Sequence, residues 1–153
     1  MSKQTGDNFT IGENDITQAD MADINFLLVQ LNPKAQKIDL KKVKVVMRSG
    51  VIMSVRDKNK NGQLIGMGTL LIVNKLFALC GTIEDVVVRE EYRGQGLGRK
   101  ITEALIAKSE ALGMRFVDLT SKPQKKVANQ LYASVGFEKR KTNVYRRYLQ
   151  GNK

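Results

Sequence analysis

The sequence predicts a mixed α/β fold, and three observations lead to that prediction. An Asn-Gly pair separates two stretches rich in β-branched and apolar residues, which is typical of a β-hairpin. A third such stretch runs into a glycine-rich segment and then a long amphipathic pattern, which indicates a strand followed by a helix. Strand and helix patterns alternate from there to the C-terminus, and this alternation favours a single mixed sheet with helices on it.

The first third of the chain is predicted to contain one strand and two helices. We expect the strand over residues 8–13. Apolar residues recur at helical spacing over 24–31, behind a Thr17 and Asp20 pair that is placed to cap a helix. A proline then ends this helix, because proline pushes the preceding residue out of the α region. A second short helix is expected to begin near Leu40 and to end at Gly50, which stops it.

The middle of the chain is predicted to form most of the sheet. Residues 51–56 and 63–73 pair as a hairpin across Lys60-Asn61-Gly62, since Asn-Gly favours a type I′ turn. Residues 81–88 follow as the fourth strand, and three consecutive valines at its end favour extended structure.

The last third alternates between helix and strand. We predict a helix over 96–112, a strand over 115–120, a helix over 127–135 and a last strand over 137–149. A glycine stands directly after each of the two helices, where a helix commonly ends. The chain has no repeat, low-complexity tract or Pro- or Ser-rich linker, so we predict a single domain covering residues 1–153.

Composition limits the chemistry and the compartment. The chain has 153 residues, 42% hydrophobic and 27% charged, as in ordinary soluble proteins. It has no histidine, which excludes a Ser-His-Asp triad and histidine-ligated metals, so we expect no metal site. The single cysteine, Cys80, excludes an intramolecular disulfide, which fits a reducing cytoplasm. No apolar run approaches the roughly 20 residues that span a bilayer, and the N-terminus lacks a secretory signal, so we expect no membrane partner.

The charge balance predicts an anionic partner. Twenty-six basic against fifteen acidic residues give a net charge of +11. The partner classes are nucleic acid, an acidic surface or a small polyphosphate ligand. The aromatic residues are few and are not interleaved with the basic run as stacking platforms, which argues against nucleic acid.

One segment, Arg93-Gly94-Gln95-Gly96-Leu97-Gly98, follows the fourth strand and opens the next helix. Glycines let a ligand approach the backbone, and a helix N-terminus presents unpaired N–H groups with a partial positive charge. The segment is therefore expected to bind phosphate. It is not a Rossmann fingerprint, because Arg99 stands where the third glycine is required, and the Walker A string is absent.

The same segment resembles the signature of the GNAT acetyltransferases. Arg93-x-x-Gly96-x-Gly98 matches the family's Gln/Arg-x-x-Gly-x-Gly/Ala pattern, and 128–132 with 136–137 is similar to its A-x-x-L-Y and G-F positions. Upstream, the fourth strand is similar to that of many members, including glucosamine-6-phosphate acetyltransferases. The resemblance implies a single-domain, mostly antiparallel, twisted sheet flanked by about four helices, with the fourth and fifth strands splayed apart.

The resemblance also implies how acetyl-CoA would be held as co-substrate. The backbone of Val86 and Val88 would pair with the pantetheine arm, and an N–H near Val87 would stabilise the oxyanion. Loop N–H groups would hold the pyrophosphate, with charge added by Arg99 or Lys100. The predicted coenzyme-binding residues are Val86, Val87, Val88, Arg93, Gly94, Gln95, Gly96, Leu97, Gly98, Arg99 and Asn129.

Two residues are the catalytic candidates. Tyr132 resembles the family's general acid, which protonates the departing thiolate; a phenol with a pKa of about 10 suits that task. Glu84 is the candidate base for the attacking amine, directly or through water. The alternatives are a core role for Tyr132, and acceptor binding or a plain edge position for Glu84. Asp85 is expected on the opposite face of the strand, so that it forms no dyad with Glu84.

The acceptor and the partners are less defined. The primary amine that is acetylated is a small amine, an amino sugar such as glucosamine 6-phosphate, or a protein amine. A silent CoA-binding sensor or interaction module is the second function class, and the presence of both Glu84 and Tyr132 argues against it. Lys125 stands where many members carry asparagine, and it would place positive charge near the 3′-phosphate. The sequence also leaves a homodimer open.

Overall fold

The structure, a computed structural model, describes residues 8–151. Its helices and strands are β1 Phe9–Glu13, α1 Met21–Leu31, α2 Leu40–Ser49, β2 Gly50–Asp57, β3 Gln63–Lys75, β4 Ala78–Val88, α3 Leu97–Ala111, β5 Val117–Asp118 and α4 Lys126–Ser134. The described chain divides after Thr120 into two compact units. The prediction of a single domain over 1–153 stays a prediction.

The N-terminal unit is built on one sheet. Within the described residues the sheet has five strands in the order β1-β2-β3-β4-β5. The first four are antiparallel to their neighbours, and the short β5 is parallel to β4. This confirms the predicted mixed α/β class with a mostly antiparallel sheet.

Helices α1 and α2 pack against one face of the sheet. Their buried residues, among them Leu27 and Val43, form one apolar cluster with Met67 and Val87 of the central strands. Burying a side chain of this size contributes about 1.5–3 kcal/mol relative to leaving it exposed. The predicted Thr17 and Asp20 pair lies just before α1, where the Thr17 N–H donates to the Asp20 carboxylate over 2.7 Å.

Helix α3 lies close against the opposite face of the sheet. Its residues Leu97, Ile101 and Leu105 are at most 2% exposed. Gly68 of β3 lies directly beneath the helix, and a Cβ atom there would approach the Ile101 Cγ2 to 2.6 Å. The absence of a side chain at this position therefore lets α3 approach the sheet.

The turn between β2 and β3 contains the predicted Asn-Gly pair. Asn61 and Gly62 have φ angles of 53° and 73°, as a type I′ turn requires. A 3₁₀ turn over Lys58–Lys60 precedes them, however, so the connection is five residues long. The Asp57 carboxylate starts that turn by accepting the Asn59 N–H over 2.9 Å.

The C-terminal unit contains α4 and its flanking segments. The helix is followed by Gly136 with a φ of 95°, and the Phe137 N–H donates to the Tyr132 carbonyl over 3.0 Å. The Phe137 ring contacts the Tyr132 ring edge to face, with centroids 5.9 Å apart. The predicted helix and its glycine end are therefore present.

The predicted last strand over 137–149 is wrong: these residues form no strand. Strand propensity counts only where a face can be buried against a neighbour. Here the side chains of Val144, Tyr145 and Leu149 are 76%, 88% and 70% exposed. The segment also carries five lysines and arginines against one acidic residue, and like charges disfavour close packing.

Candidate functional site

An open strand edge is the first part of the candidate site. Strand β5 pairs with β4 only at Gly81 and Thr82. The Gly81 N–H donates to the Phe116 carbonyl over 3.1 Å, which shows that this edge of β4 faces β5. From Ile83 to Val88 the same edge has no partner strand in the described sheet. An extended chain that carries amides can therefore pair there as a further strand would.

A β-bulge interrupts β4 inside that open stretch. Met67 pairs with Val87 and Thr69 pairs with Glu84, so two residues of β4 oppose one residue of β3. The first of the two, Asp85, has a φ of 55°, in the left-handed region.

The bulge reverses which backbone groups face the open edge. The Gly81 N–H points toward β5, but the Arg89 N–H donates to Ile65 of β3 over 2.8 Å. In a regular strand, residues eight apart direct their N–H groups to the same edge, so the bulge accounts for the reversal. By the same alternation, Val86 and Val88 direct their backbone groups to the open edge, and the valine between them faces β3.

This alternation bears on which N–H near Val87 could stabilise an oxyanion. Val87 is 7% exposed, its side chain belongs to the core, and its backbone faces Met67 across the ladder. An oxyanion donor at the open edge is therefore the N–H of Val86 or Val88 and not that of Val87. The Val88 carbonyl already accepts the Gln30 Nε2 over 2.7 Å, so the N–H is the group that Val88 offers at this edge.

The glycine loop that follows β4 is the second part of the site. Gly94 and Gly96 have φ angles of 78° and 76°, which favour glycine. A Cβ atom added to either would meet no heavy atom within 4 Å, so the space above the loop is open. The first hydrogen bond of α3 runs from the Lys100 N–H to the Gly96 carbonyl over 3.1 Å. The N–H groups of Leu97 and Gly98 precede that bond and have no helical acceptor.

The loop geometry fits an anionic ligand. A helix N-terminus carries a partial positive charge, and its unpaired N–H groups bind phosphate. Arg93 and Arg99 are exposed at the loop, and each lies near one glutamate, Glu90 at 3.7 Å and Glu103 at 3.4 Å. Exposed ion pairs of this kind contribute about 0–1 kcal/mol, so a ligand phosphate can compete for the guanidinium groups. Gln95 is also exposed, whereas the Leu97 side chain is buried and offers only its backbone.

Buried contacts hold the start of the loop. The Tyr92 hydroxyl donates to the Asp57 carboxylate over 2.6 Å, and this hydrogen bond raises the pKa of Tyr92 to about 12. The Gln30 carboxamide of α1 donates to the Val88 carbonyl and accepts the Glu90 N–H over 3.2 Å. These three hydrogen bonds hold the junction of β4 and the loop in place.

Arg89 adds a third restraint at the same junction. Its guanidinium donates to Asp23 of α1 over 2.6 Å and lies 4.2 Å from the centre of the Phe26 ring. Sequence reasoning missed Gln30 and Arg89 because their role depends on how α1 packs beside β4, which no local pattern encodes.

Two carboxylates lie on β4 beside the bulge. Glu84 is half-buried and pairs with Thr69 in the ladder. Asp85 is exposed, although the surrounding protein still removes part of its hydration, and this desolvation raises the pKa of its carboxyl. Asp85 is in the left-handed region, so the alternation of a regular strand does not apply at this residue. The expectation that it forms no dyad with Glu84 stays a prediction.

The remaining candidates lie in the C-terminal unit. Tyr132 is a half-buried residue of α4, and burial raises the pKa of its phenol. Asn129 lies one turn earlier, and its Nδ2 donates to the Lys122 carbonyl over 3.0 Å. Lys125 is exposed at the start of the helix. Tyr132 and Asn129 thus share one helix, while the β4 edge and the glycine loop are contiguous in the N-terminal unit.

The N-terminal unit also contains a polar cavity that the sequence did not predict. Its volume is about 400 Å³, and its lining includes Asp15, Asp20 and Arg56. Partial burial alone would raise the pKa of Asp20, but hydrogen bonds from Arg56 and the Thr17 N–H outweigh it, and the pKa is lowered. Arg56 binds Asp20 at 2.6 Å and Asp15 at 3.1 Å, so these charges already satisfy each other.

Residues 8–151 contain no group of three or more histidine, cysteine or acidic side chains placed to hold a metal ion. Over the same residues, no helix is both long enough and apolar enough to cross a membrane.

Known proteins resemble this chain in both sequence and fold. Residues 35–137 match the acetyltransferase (GNAT) family. The chain is 32% identical over 79 residues to glucosamine 6-phosphate N-acetyltransferase from Arabidopsis thaliana, covering 50% of this chain and 53% of that protein. The chain spans about half the length of the curated relatives it matches.

Solved structures share the fold at low sequence identity. The crystal structure of glucosamine-6-phosphate N-acetyltransferase from Arabidopsis thaliana superposes with a TM-score of 0.78 at 23% identity, covering 93% of this chain and 99% of that one. An aminoglycoside N-acetyltransferase crystallised with CoA gives a TM-score of 0.74 at 15% identity, covering 92% and 94%.

Proposed function

This chain belongs to the acetyltransferase (GNAT) family, and on that premise we propose that it transfers the acetyl group of acetyl-CoA to a primary amine. The observation that carries the proposal is the junction of the open β4 edge with the glycine loop. The strand edge can pair with the amide groups of a pantetheine arm, and the loop can bind a pyrophosphate. Acetyl-CoA has both parts in that order.

The proposed reaction is a direct transfer without a covalent enzyme intermediate. The neutral amine nitrogen attacks the thioester carbonyl carbon, a C–N bond forms, and the carbonyl oxygen becomes an oxyanion. The C–S bond then breaks, the thiolate takes a proton, and the nitrogen loses one. The products are an N-acetyl amide and CoA thiol.

The residues are assigned to this reaction by their positions. The N–H groups of Val86 and Val88 would bind the pantetheine arm, and one of them would stabilise the oxyanion. The loop backbone of 94–99 would bind the pyrophosphate. Glu84 would accept the proton that the amine loses, directly or through water.

Tyr132 is proposed as the general acid for the departing thiolate, and Asn129 as a ligand of the pantetheine or the thiol. Burial raises the pKa of Tyr132, so the phenol stays protonated at neutral pH and can donate. In the silent-sensor alternative these side chains would have no such role.

For the acceptor we propose an amino sugar phosphate. The support is the name of the relatives, since proteins called glucosamine 6-phosphate N-acetyltransferase match this chain at 29–34% identity. Small amines and peptide amines remain the competing acceptors, and an assay across the three classes separates them.

Acetyl-CoA is expected to raise the melting temperature of the protein and to be consumed in its presence. A ligand that binds only the folded state stabilises it by about 2.7 kcal/mol at 100 times its Kd. The measurements are a thermal shift with acetyl-CoA, with ATP and NAD as controls, and thiol release with glucosamine 6-phosphate, simple amines and peptides.

The outcomes distinguish the function classes. An unchanged melting temperature at millimolar acetyl-CoA contradicts the coenzyme assignment. Tight binding without turnover of any acceptor favours the sensor. A larger shift with nucleic acid than with acetyl-CoA would contradict our proposal that nucleic acid is not a partner.

We also propose a cytoplasmic protein that works without a metal ion. The single Cys80 is buried and free, as suits a reducing compartment. Carboxylate and phenol groups supply the proton transfers that the reaction needs, so the proposed chemistry uses no Lewis acid.

A homodimer is proposed from the apolar side chains of the C-terminal unit. Val144, Tyr145, Tyr148 and Leu149 are 60–88% exposed. Exposed apolar patches mark interaction surfaces, and we propose that these four side chains form one in the dimer. We expect light scattering after size exclusion to give twice the chain mass of 17.1 kDa, and replacing Tyr145 and Leu149 by serine to give the single mass. A wild-type protein that elutes at the single mass at micromolar concentration contradicts the homodimer.

A further inference from the structure

Positive charge is concentrated on helix α2 and on the connection that leads into it. Residues 32–49 contain five lysines, one arginine and one acidic residue, so 18 of the 153 residues carry +5 of the net charge of +11. The acidic residue, Asp39, is the N-cap of α2, where its carboxylate accepts the Lys42 N–H over 3.0 Å. The helix itself therefore carries basic residues and no acidic one.

Three of these basic side chains lie on one face of the helix. Lys41, Lys44 and Arg48 follow one another at intervals of three and four residues, which places them side by side over about 10 Å of helix. All three are exposed, and among residues 8–151 none of them forms an ion pair with an acidic side chain. We refer to these three residues as the basic face of α2.

The basic face is unfavourable for the helix by itself. Like charges three and four residues apart repel one another. Lys41 also lies in the first turn, where the helix dipole disfavours a positive charge, and this turn holds no acidic residue. Solvated helix faces commonly carry charges of both signs, which removes both effects. A negatively charged partner on this face would remove them as well.

Val45 adds an apolar contact beside the basic face. Its side chain is 53% exposed, and it lies one turn from both Lys41 and Arg48. The other side of the helix is already occupied, since Val43 is 2% exposed and belongs to the core. A partner that fits this surface therefore combines negative charge with an apolar side chain. An acidic protein segment offers both, whereas a phosphate backbone offers the charge alone.

The basic face lies apart from the coenzyme edge proposed above. Helix α2 packs mainly against β2, whereas α1 packs against β3 and β4. Helix α1 therefore stands between α2 and the open edge of β4. The basic face is a second surface of the protein, and the inference drawn from it does not rest on the proposed function.

We propose that the basic face of α2 docks an acidic segment of a partner protein. Carboxylates of the segment would pair with Lys41, Lys44 and Arg48, and one of its apolar side chains would cover Val45. Helix α2 has ten residues, so a helical segment of about the same length spans it. Charge attraction of this kind speeds association and weakens as salt screens it.

The experiment measures the Kd of a fluorescein-labelled peptide of repeated Glu-Glu-Leu units by fluorescence anisotropy. The variant replaces Lys41, Lys44 and Arg48 by glutamine, which is a good helix former, so α2 is expected to fold. We expect the Kd to rise by about 5- to 100-fold, the loss of three exposed ion pairs. The matched control places glutamine at 139–141, where two lysines and one arginine are also exposed, and is expected to keep the wild-type Kd.

Two further measurements test the physical argument. The melting temperature of the basic-face variant is expected to equal or exceed that of the wild type, because the substitutions remove like-charge repulsion. Val45→Ser is expected to raise the Kd of the same peptide by about 3-fold, through the loss of an apolar contact.

Several results would overturn the proposal. A wild-type protein that does not bind the peptide has no such docking surface. An equal loss of affinity in the 139–141 control means that the peptide responds only to net charge. A lowered melting temperature in the basic-face variant means that these side chains stabilise the fold and need no partner. Tighter binding of polyuridine, or of vesicles of phosphatidylserine and phosphatidylcholine, through the same three residues would assign the face to nucleic acid or to a lipid surface.

Discussion

The Tyr132→Phe variant is expected to lose about 10²–10⁴-fold in kcat, the usual contribution of a general acid. The change deletes one oxygen and keeps the ring that contacts Phe137 edge to face. The helix should therefore stay folded, and the Kd for acetyl-CoA should stay close to that of the wild type. Because burial raises the pKa of this phenol, the wild type should keep its acid protonated well into the alkaline range, so kcat should not fall there from loss of this proton.

A matched control isolates the role of the phenol. Tyr145→Phe makes the same chemical change at an 88% exposed position of the same unit, and we expect it to keep wild-type kcat. The comparison is made in single turnovers, because slow product release can hide a defect in chemistry. Full single-turnover activity in Tyr132→Phe would show that the tyrosine packs the helix and donates no proton.

The Gly96→Glu variant is expected to lose acetyl-CoA binding by about 100-fold or more. A side chain at this position projects into the open space above the loop, where the pyrophosphate is proposed to lie. Its carboxylate also repels a phosphate, by about 1–4 kcal/mol at 4 Å across the range from water to a protein surface. Isothermal titration calorimetry with acetyl-CoA measures the loss.

Gly113→Glu is the control for the backbone. Gly113 has a φ of 72° and equally open space around it, so glutamate there carries the same left-handed strain at the far end of α3. We expect this variant to be destabilised to the same degree and to bind acetyl-CoA normally. If both folded variants bind acetyl-CoA equally well, the glycine loop only connects β4 to α3 and does not bind the coenzyme.

The fold was predictable where local patterns determine it. The apolar period of α1, the glycine loop before α3 and the three valines of β4 each identify an element from a few neighbouring residues. The sheet class follows from their order. The boundaries of β4 were less predictable, because its first residues, Ala78 to Cys80, pair with β3 across a turn that contains no glycine, proline or asparagine.

The wrongly predicted last strand and the unpredicted bulge in β4 have a common physical cause. The segment 137–149 has strand-forming residues but buries no face, and a sequence pattern does not report burial. The bulge at Asp85 is likewise a property of two paired strands. It exists because two residues of β4 lie opposite one residue of β3. The sequence predicted that the glycine loop binds the coenzyme and that Glu84 is a candidate base, and both stay predictions. The edge to which the backbone groups of Val86 and Val88 point follows only from the register of β3 and β4.

If the proposed function is right, the Gln30 carboxamide has a consequence for cooperativity between acetyl-CoA and the acceptor. One side chain of α1 binds the carbonyl before Arg89 and the N–H after it, so two hydrogen bonds join α1 to the start of the glycine loop. A ligand that orders the loop would also lower the conformational entropy of α1 through these bonds. A second ligand that contacts α1 would then lose less conformational entropy on binding. Since coupling between sites is reciprocal, an acceptor bound beside α1 would tighten the hold on the coenzyme by the same factor.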